Sequence, residues 1–307
     1  SAHPMDLASG RLANGLAYAS VRLHGFRTTC IGAYVRVGSR FEPTALAGVS
    51  HFFEHMAFKG TGRRDAYRIA MDAEGAGAYM NAFTAKDHTG YYLHLPGDQA
   101  EIAVDLIADV LRHSTFPADE LERERHVVLQ EMIEAGDDAE GIAQDEMDQV
   151  AFPRQALGQP ILGKREVVRT IRRRDFTSYL ARHYTAPNIA LVAAGAVDHD
   201  AFAALAARHF GDLPQAVVNR TEPAVYRGGY RHRALDFGQT WIALGWPTPG
   251  RGAPDFPLYE MLAELLGGGT AAPLFQELRE KNGLAYAVSA TIEGFEDCGI
   301  LQITAGV

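Results

Sequence analysis

Two segments of this chain repeat one order of predicted elements, and this internal repeat limits the possible folds more than any other feature. They read GAYMNAFTAKDHTGYYLHL from Gly77 and GLAYAVSATIEGFEDCGILQIT from Gly283. Each segment comes after a predicted helix. It begins with a glycine, and a strand, a loop and a second strand follow. Tyr79 and Tyr286 fall at matching places, about 207 residues apart. A repeat of this length predicts two similar domains rather than a solenoid.

The length of 307 residues agrees with two domains, since single cores seldom grow so large. Residues 214–230 contain two prolines and two glycines without a clear period, so we predict a linker there. The predicted N-terminal domain covers residues 1–213, and residues 231–307 begin the second copy. This copy stops on a predicted strand, before later helices like those of the first copy, so we expect it to be incomplete.

The composition excludes two classes of protein and leaves the compartment open. The 38 acidic residues outnumber the 29 basic ones, which argues against a nucleic-acid binder because phosphates attract surplus Lys and Arg. No apolar run reaches the roughly 18 residues of a membrane helix. We therefore expect a soluble protein, and the choice between periplasm and cytoplasm stays open. Cys30 and Cys298 fit no ligand or disulfide pattern and are predicted to be buried thiols.

The local pattern places the polar residues of interest on a few elements. A helix is predicted from about Thr44 to Phe58, where Gly60 stops it. The stretch TTCIGAYVRV from Thr28 predicts a strand, and AYMNAF and TGYYLHL predict a strand pair on either side of TAKDH. Pro117 opens a long helix through ADELERERHVVLQEMIEA.

The stretch HFFEH, at positions 51–55, allows two interpretations. On a helix, His51 and His55 lie on one face, one turn apart, where two imidazoles can bind one zinc ion. Glu54 borders that face, and a carboxylate beside the metal can take a proton from water. The Glu precedes the second His, which is the inverted form of the zinc-peptidase motif. The alternative is one turn of a buried helix, because the neighbouring residues are apolar.

A third ligand would decide between these interpretations, since catalytic zinc usually has three protein ligands and one open position. The long helix offers Glu124 and Glu131, seven residues apart and therefore on one face. Glu120, Glu122 and Glu134 on the same helix are predicted to be surface charges.

The segments GVSHFFEHMAFKGT and ERHVVLQE, whose last Glu stands 76 positions after His55, resemble the pitrilysin family of zinc metallopeptidases. Mitochondrial processing peptidase and insulin-degrading enzyme are among its members. The resemblance implies an α+β fold of two homologous α/β-sandwich domains, each a mainly antiparallel sheet packed with helices. It also implies Zn²⁺ as cofactor, with His51, His55 and Glu131 as ligands, Glu54 as general base and Glu124 as a supporting residue.

Two further segments extend the resemblance to substrate binding. NAFTAKDHTGYY is similar to the family's substrate-binding edge strand, which implies that Asn81 and Ala82 contact the peptide. LFQELREKNGLAYAVSA is similar to the segment with a paired Arg and Tyr, so Arg279 and Tyr286 are expected to stabilise the oxyanion.

The resemblance implies an endopeptidase that acts on extended peptides. It also implies a dimer, with an identical chain or with a related, possibly inactive subunit. The alternative function is a non-catalytic or scaffold subunit of a heteromeric complex, since the family includes such members. Inactive members lose residues of the ligand and base set, and all four are present here.

Overall fold

The computed structural model describes residues 6–307, which contain nine β-strands and ten α-helices. The strands are β1 (Asp6–Arg11), β2 (Ala17–Arg22), β3 (Thr28–Val35), β4 (Tyr79–Thr84), β5 (Thr89–Pro96), β6 (Ile189–Gly195), β7 (Trp241–Thr248), β8 (Ala287–Gly294) and β9 (Gly299–Gly306). The helices are α1 (Val49–Ala57), α2 (Ala66–Gly75), α3 (Ala100–His113), α4 (Ala118–Gly136), α5 (Ala139–Ala151), α6 (Arg165–Val168), α7 (Arg173–His183), α8 (His199–Phe210), α9 (Phe256–Gly267) and α10 (Pro273–Phe275).

The contacts divide the chain into two compact units. The first unit runs up to Leu129 and includes Ile161–Arg220, and the second combines Gln130–Pro160 with Thr221–Val307. This division falls within α4, which is unbroken from Ala118 to Gly136. Residues 214–237, which include the predicted linker, have no helix or strand. The domain boundaries at 213 and 231 stay a prediction.

The first unit is built on a six-stranded sheet in the order β1-β2-β6-β3-β5-β4. All neighbouring strands are antiparallel except β2 and β6. The centre of the sheet is apolar, because Ile31, Ala33 and Val35 alternate on β3 and are fully buried. Helix α3 packs on β3 and β5, whereas α1 contacts β4. The predicted pairing of β4 with β5 is confirmed.

The second unit repeats part of this arrangement. Its three antiparallel strands have the order β7-β9-β8, which matches the order β3-β5-β4 of the first unit. Helix α9 packs on β8 as α1 packs on β4. A cluster of buried residues forms its core: Ala151, Phe152, Leu157, Phe295 and Ile300. The internal repeat is therefore present in the topology, and the predicted α+β fold with mainly antiparallel sheets is confirmed.

The helix predicted from Thr44 is shorter in the structure. Residues Thr44–Leu46 form a 3₁₀ turn, and α1 begins only at Val49. Gly48 separates them, because its φ of 97° is a left-handed conformation that interrupts a helix. A side chain at Gly48 would also place Cβ 2.6 Å from the Leu162 carbonyl oxygen.

The prediction that both cysteines are buried was wrong for Cys30, which is exposed, and Cys298 is only partly buried. Cys30 lies on β3, where side chains alternate between the two faces of the sheet. The hydrophobic character of the strand as a whole did not show on which face this residue lies.

Candidate metal centre and active site

Helix α1 buries one face and presents the histidines on the other. Phe52, Phe53 and Met56 are fully buried, and the Phe53 ring lies 4.7 Å from that of Tyr184, centroid to centroid. His51 and His55 are only partly buried. The apolar residues therefore fix the helix in the core, while the polar face can serve a site. The two interpretations of HFFEH describe opposite faces of one helix.

The two histidine rings lie side by side, with centroids 4.7 Å apart and planes at 70°. Burial lowers the pKa of His51 to about 4, and the nearby His55 adds to this effect. His51 is therefore neutral at pH 7. A neutral imidazole is the form that binds a metal, because its nitrogen lone pair is available.

Glu131 completes a set of three side chains that could hold a metal ion. One ligand atom each from His51, His55 and Glu131 lie within 4.8 Å of one another. Within residues 6–307 this is the only group of three or more His, Cys, Asp or Glu side chains so arranged. Two imidazoles and one carboxylate form a donor set that suits catalytic zinc, since it leaves one position open. The residues present therefore fit the expected ion.

The two glutamates on α4 have different surroundings. Glu124 is buried and interacts with His55, with 3.1 Å between its Oε2 and the histidine Nδ1. Its other oxygen, Oε1, lies 2.7 Å from Nζ of Lys59. With Nδ1 held by Glu124, His55 presents Nε2 for a metal, which is the usual effect of an outer carboxylate on a ligand histidine. Lys59 was not predicted, although it lies in the quoted motif.

Glu54 is held by a residue that the sequence did not reveal. The Thr84 hydroxyl donates a hydrogen bond to Glu54 Oε2, at 2.7 Å between the oxygens. Thr84 is the last residue of β4, so the contact joins residues 30 positions apart. A cavity of about 280 Å³ adjoins this pair, and its lining is Glu54, His55, Phe58, Lys59, Met80, Asn81, Ala82 and Glu124.

The predicted substrate residues lie on the edge strand β4, at one end of the six-stranded sheet. β5 pairs with one side of β4, and no strand within residues 6–307 pairs with the other side. The Asn81 Oδ1 accepts a hydrogen bond from the Ala82 N–H at 2.8 Å, and its Nδ2 donates to the Tyr79 hydroxyl at 2.9 Å. An edge of this kind can accept an extended peptide through main-chain hydrogen bonds.

Known proteins resemble this chain in both sequence and fold. A family model described as insulinase (peptidase family M16) matches residues 18–165, and a second, described as the peptidase M16 inactive domain, matches residues 170–307. An uncharacterized zinc protease of Mycobacterium tuberculosis is 38% identical over 302 residues, which cover 96% of this chain and 68% of that protein. This chain belongs to peptidase family M16.

Two further comparisons agree. The mitochondrial-processing peptidase subunit beta of Lentinula edodes is 32% identical over 308 residues, covering 95% of this chain and 66% of that subunit. A crystal structure of a protease from Helicobacter pylori has the same fold, with a TM-score of 0.90 at 22% identity, over 98% of this chain and 75% of that one. Within residues 6–307, every helix is too short or too polar to span a membrane.

The predicted oxyanion residues lie in the second unit, in the region that matches the M16 inactive domain. Arg279 is exposed on a π-helical turn, Gln276–Lys281, and its guanidinium lies 4.9 Å from the Phe275 ring centroid. Tyr286 is half exposed and immediately precedes β8. The Leu278 carbonyl, beside Arg279, accepts hydrogen bonds from the backbone N–H groups of residues 284 and 285. One local turn therefore supplies both side chains, and their role stays a prediction.

Proposed function

We propose that this M16 chain is a zinc-dependent endopeptidase that hydrolyses extended peptides. The observation that carries this proposal is the convergence of His51, His55 and Glu131 within 4.8 Å. The zinc-protease names of its relatives agree with it. A bound zinc ion would supply Lewis acidity, which polarises the scissile carbonyl and makes a water molecule more acidic.

Glu54 is the general base in this proposal. It takes a proton from the attacking water and passes it to the leaving amine. The Thr84 hydroxyl donates a hydrogen bond to one carboxylate oxygen of Glu54. This bond fixes the orientation of the carboxylate group, and therefore also the direction in which its other oxygen points. Glu124 orients His55 through Nδ1, and Lys59 balances the charge of Glu124.

The substrate binds as an additional strand beside β4 in this proposal. Main-chain groups near Asn81 and Ala82 provide the hydrogen bonds, which allows broad tolerance of substrate side chains. Binding requires that the Asn81 side chain release the Ala82 N–H, which it now holds. Arg279 and Tyr286 donate hydrogen bonds to the oxygen that becomes negative in the transition state.

We further propose that the enzyme works as a dimer, with an identical chain or a related subunit. One relative is named as a subunit of mitochondrial-processing peptidase, which supports an assembly of more than one chain. The alternative function, a non-catalytic scaffold subunit, is less well supported, because the proposed ligands and base are all present and the three ligand side chains converge.

The test is a peptide-cleavage assay of the purified chain, with and without a chelator, followed by measurement of bound zinc. The proposal predicts about one zinc per chain, cleavage within an unstructured peptide, loss with chelator and recovery on adding zinc. Zinc binding without cleavage, in the presence of any copurifying partner, would support the scaffold function instead. A chain that binds no zinc would contradict both the metal site and the peptidase function.

A further inference from the structure

A partly buried carboxyl group outside the metal site holds the start of the helix that carries the two histidines. The Glu42 Oε2 accepts a hydrogen bond from the Gly48 N–H, and its Oε1 accepts one from the Ser50 N–H, both at 2.7 Å. Glu42 follows the 3₁₀ turn Ser39–Phe41. The Ser50 amide that Glu42 binds lies eight residues further along the chain.

Helix α1 needs such a partner because its own cap position cannot supply one. The first N–H groups of a helix have no acceptor within the helix, and a Ser, Thr, Asp or Asn cap usually provides one. The cap residue here is Gly48, which has no side chain and makes no side-chain cap bond. Glu42 replaces it, because its two carboxyl oxygens accept the hydrogen bonds of two of these N–H groups.

The first turn of α1 is fixed on its other sides as well. The Ser50 hydroxyl and the Tyr179 hydroxyl form a buried hydrogen bond at 2.7 Å. Gly48 lies directly against the Leu162 carbonyl, so its backbone has no room to shift in that direction. Ser50 is followed immediately by His51. The position of the His51 backbone is therefore determined by the groups that hold Ser50.

We propose that Glu42 is a positioning residue for the metal centre: by binding the Gly48 and Ser50 amides it sets the place from which His51 and His55 approach the metal. Glu42 contacts neither histidine, so it acts through the backbone of α1. This inference rests on the proposed function, since it assigns a role within the same site. The inference goes beyond the proposed function, because no ligand, base or substrate role requires Glu42.

Burial is the largest influence on the Glu42 carboxyl and raises its pKa to about 7, while the bonds from Ser50 and Gly48 act in the opposite direction. Burial raises the pKa of the Tyr179 phenol on α7, and the neighbouring Tyr184 and Glu42 add to this effect. A carboxyl group withdrawn from water is costly unless its hydrogen bonds are made. Its presence here agrees with a specific task for those bonds.

The test compares zinc affinity and stability in matched variants. Glu42→Gln keeps the shape, but its amide nitrogen cannot accept an N–H, so one of the two bonds is lost. Asp65→Asn is the control, because Asp65 caps α2 through the Arg68 N–H at 2.7 Å, and α2 carries no proposed ligand. Zinc affinity is measured by competition with a chelator, and unfolding of the metal-free proteins by urea.

Glu42→Gln is expected to weaken zinc binding by about 10- to 100-fold, as is usual for residues that orient ligands. Asp65→Asn keeps an oxygen that can cap α2, so it is expected to leave zinc affinity unchanged. Should Glu42→Gln fail to fold, Glu42→Asp keeps the charge with a shorter reach, and its zinc affinity should fall by several-fold. Unchanged zinc affinity in the folded variants would overturn the positioning role. Absence of zinc from the wild-type chain would instead reject the proposed function itself.

Discussion

The two units share one arrangement of strands and differ in the helix that packs on it. In the first unit, α1 beside β4 carries His51, Glu54 and His55. In the second unit, α9 beside β8 reads FPLYEMLAELLG and offers no histidine. Leu258 and Met261 on α9 are exposed, whereas the apolar residues of α1 are fully buried. The shared topology therefore determines where a helix lies, and a few side chains determine whether it can bind a metal.

The two helices also differ in how they begin. The distant carboxylate of Glu42 holds the first amides of α1. Helix α9 begins with Pro257 in its first turn, and the Asp255 side chain makes no cap bond. Proline has no N–H group, so the first turn of α9 has one unbonded N–H group fewer, and no distant residue is needed for this. A long-range support is therefore found on the helix that carries the proposed ligands.

The largest expected difference between the two helices is in metal binding. His51→Ala should abolish zinc binding, and kcat should fall by at least about 10³-fold, because the ion supplies several kcal/mol of stabilisation to the transition state. Glu260→Ala on α9 is the matched control and should keep both zinc and activity. Zinc content by elemental analysis and peptide turnover check this. Full zinc occupancy in His51→Ala would refute its assignment as a ligand.

The two tyrosines at matching places of the repeat should differ almost as strongly. Tyr286→Phe removes a proposed oxyanion donor, so kcat should fall by about 10²- to 10³-fold with zinc retained. Tyr79→Phe removes only the hydroxyl that accepts a bond from Asn81, and a change below about 10-fold is expected. Steady-state kinetics on one peptide compares them. Equal losses in the two variants would remove the special role of Tyr286.

The pH dependence of stability should reveal the cost of ionising the Glu42 carboxyl in its place beside α1. The pKa of Glu42 is raised from 4.5 to about 7, so its contribution is full below pH 4.5 and is lost as pH rises through 7. The pKa of His51 is lowered from 6.5 to about 4, so its contribution is present above pH 6.5 and is lost as pH falls through 4. Between pH 4.5 and 6.5, a rise in pH therefore lowers the contribution of Glu42 to the free energy of unfolding and raises that of His51.

Glu42→Gln removes the pH-dependent contribution of Glu42 to the stability of the metal-free protein, because glutamine does not titrate. From pH 4.5 to 7, its free energy of unfolding should rise relative to wild type by on the order of 3 kcal/mol. Urea titrations of both metal-free proteins at several pH values measure this difference. Parallel profiles would show that Glu42 titrates normally in the folded protein.

The smallest expected effect concerns the orientation of one ligand. Glu124→Gln loses the carboxylate that interacts with His55 and Lys59, so zinc affinity should fall by about 10- to 100-fold. Glu122→Gln on the same helix serves as control, because Glu122 is exposed and pairs only locally with Arg125. Equal zinc affinities in the two variants would contradict a supporting role for Glu124.

The sequence predicted the features of the fold that depend on neighbouring residues. The spacing of His51 and His55 placed them on one helix face, and Pro117 marked the start of α4. Alternation of apolar residues predicted the β4–β5 pair. The paired order of β3, β5 and β4 with β7, β9 and β8 could be expected from the repeat, because similar local patterns fold into similar units.

The features that sequence did not reveal depend on contacts between distant residues. The bonds of Glu42 to α1 and of Thr84 to Glu54 join separate elements, and no local pattern marks either residue. The left-handed conformation of Gly48, which delays the start of α1, follows from the close approach of Leu162. The strand β1, which pairs with β2 at the end of the sheet, also escaped prediction.

The most direct test of this account is the combined measurement of zinc content and turnover in Glu54→Gln. The glutamine keeps the shape of the side chain and can still accept the Thr84 bond, but it cannot take a proton. We predict one zinc per chain, as in wild type, and a fall in kcat of about 10²- to 10⁴-fold, the usual contribution of a general base. Normal turnover with zinc bound would contradict the role of Glu54 and the mechanism built on it.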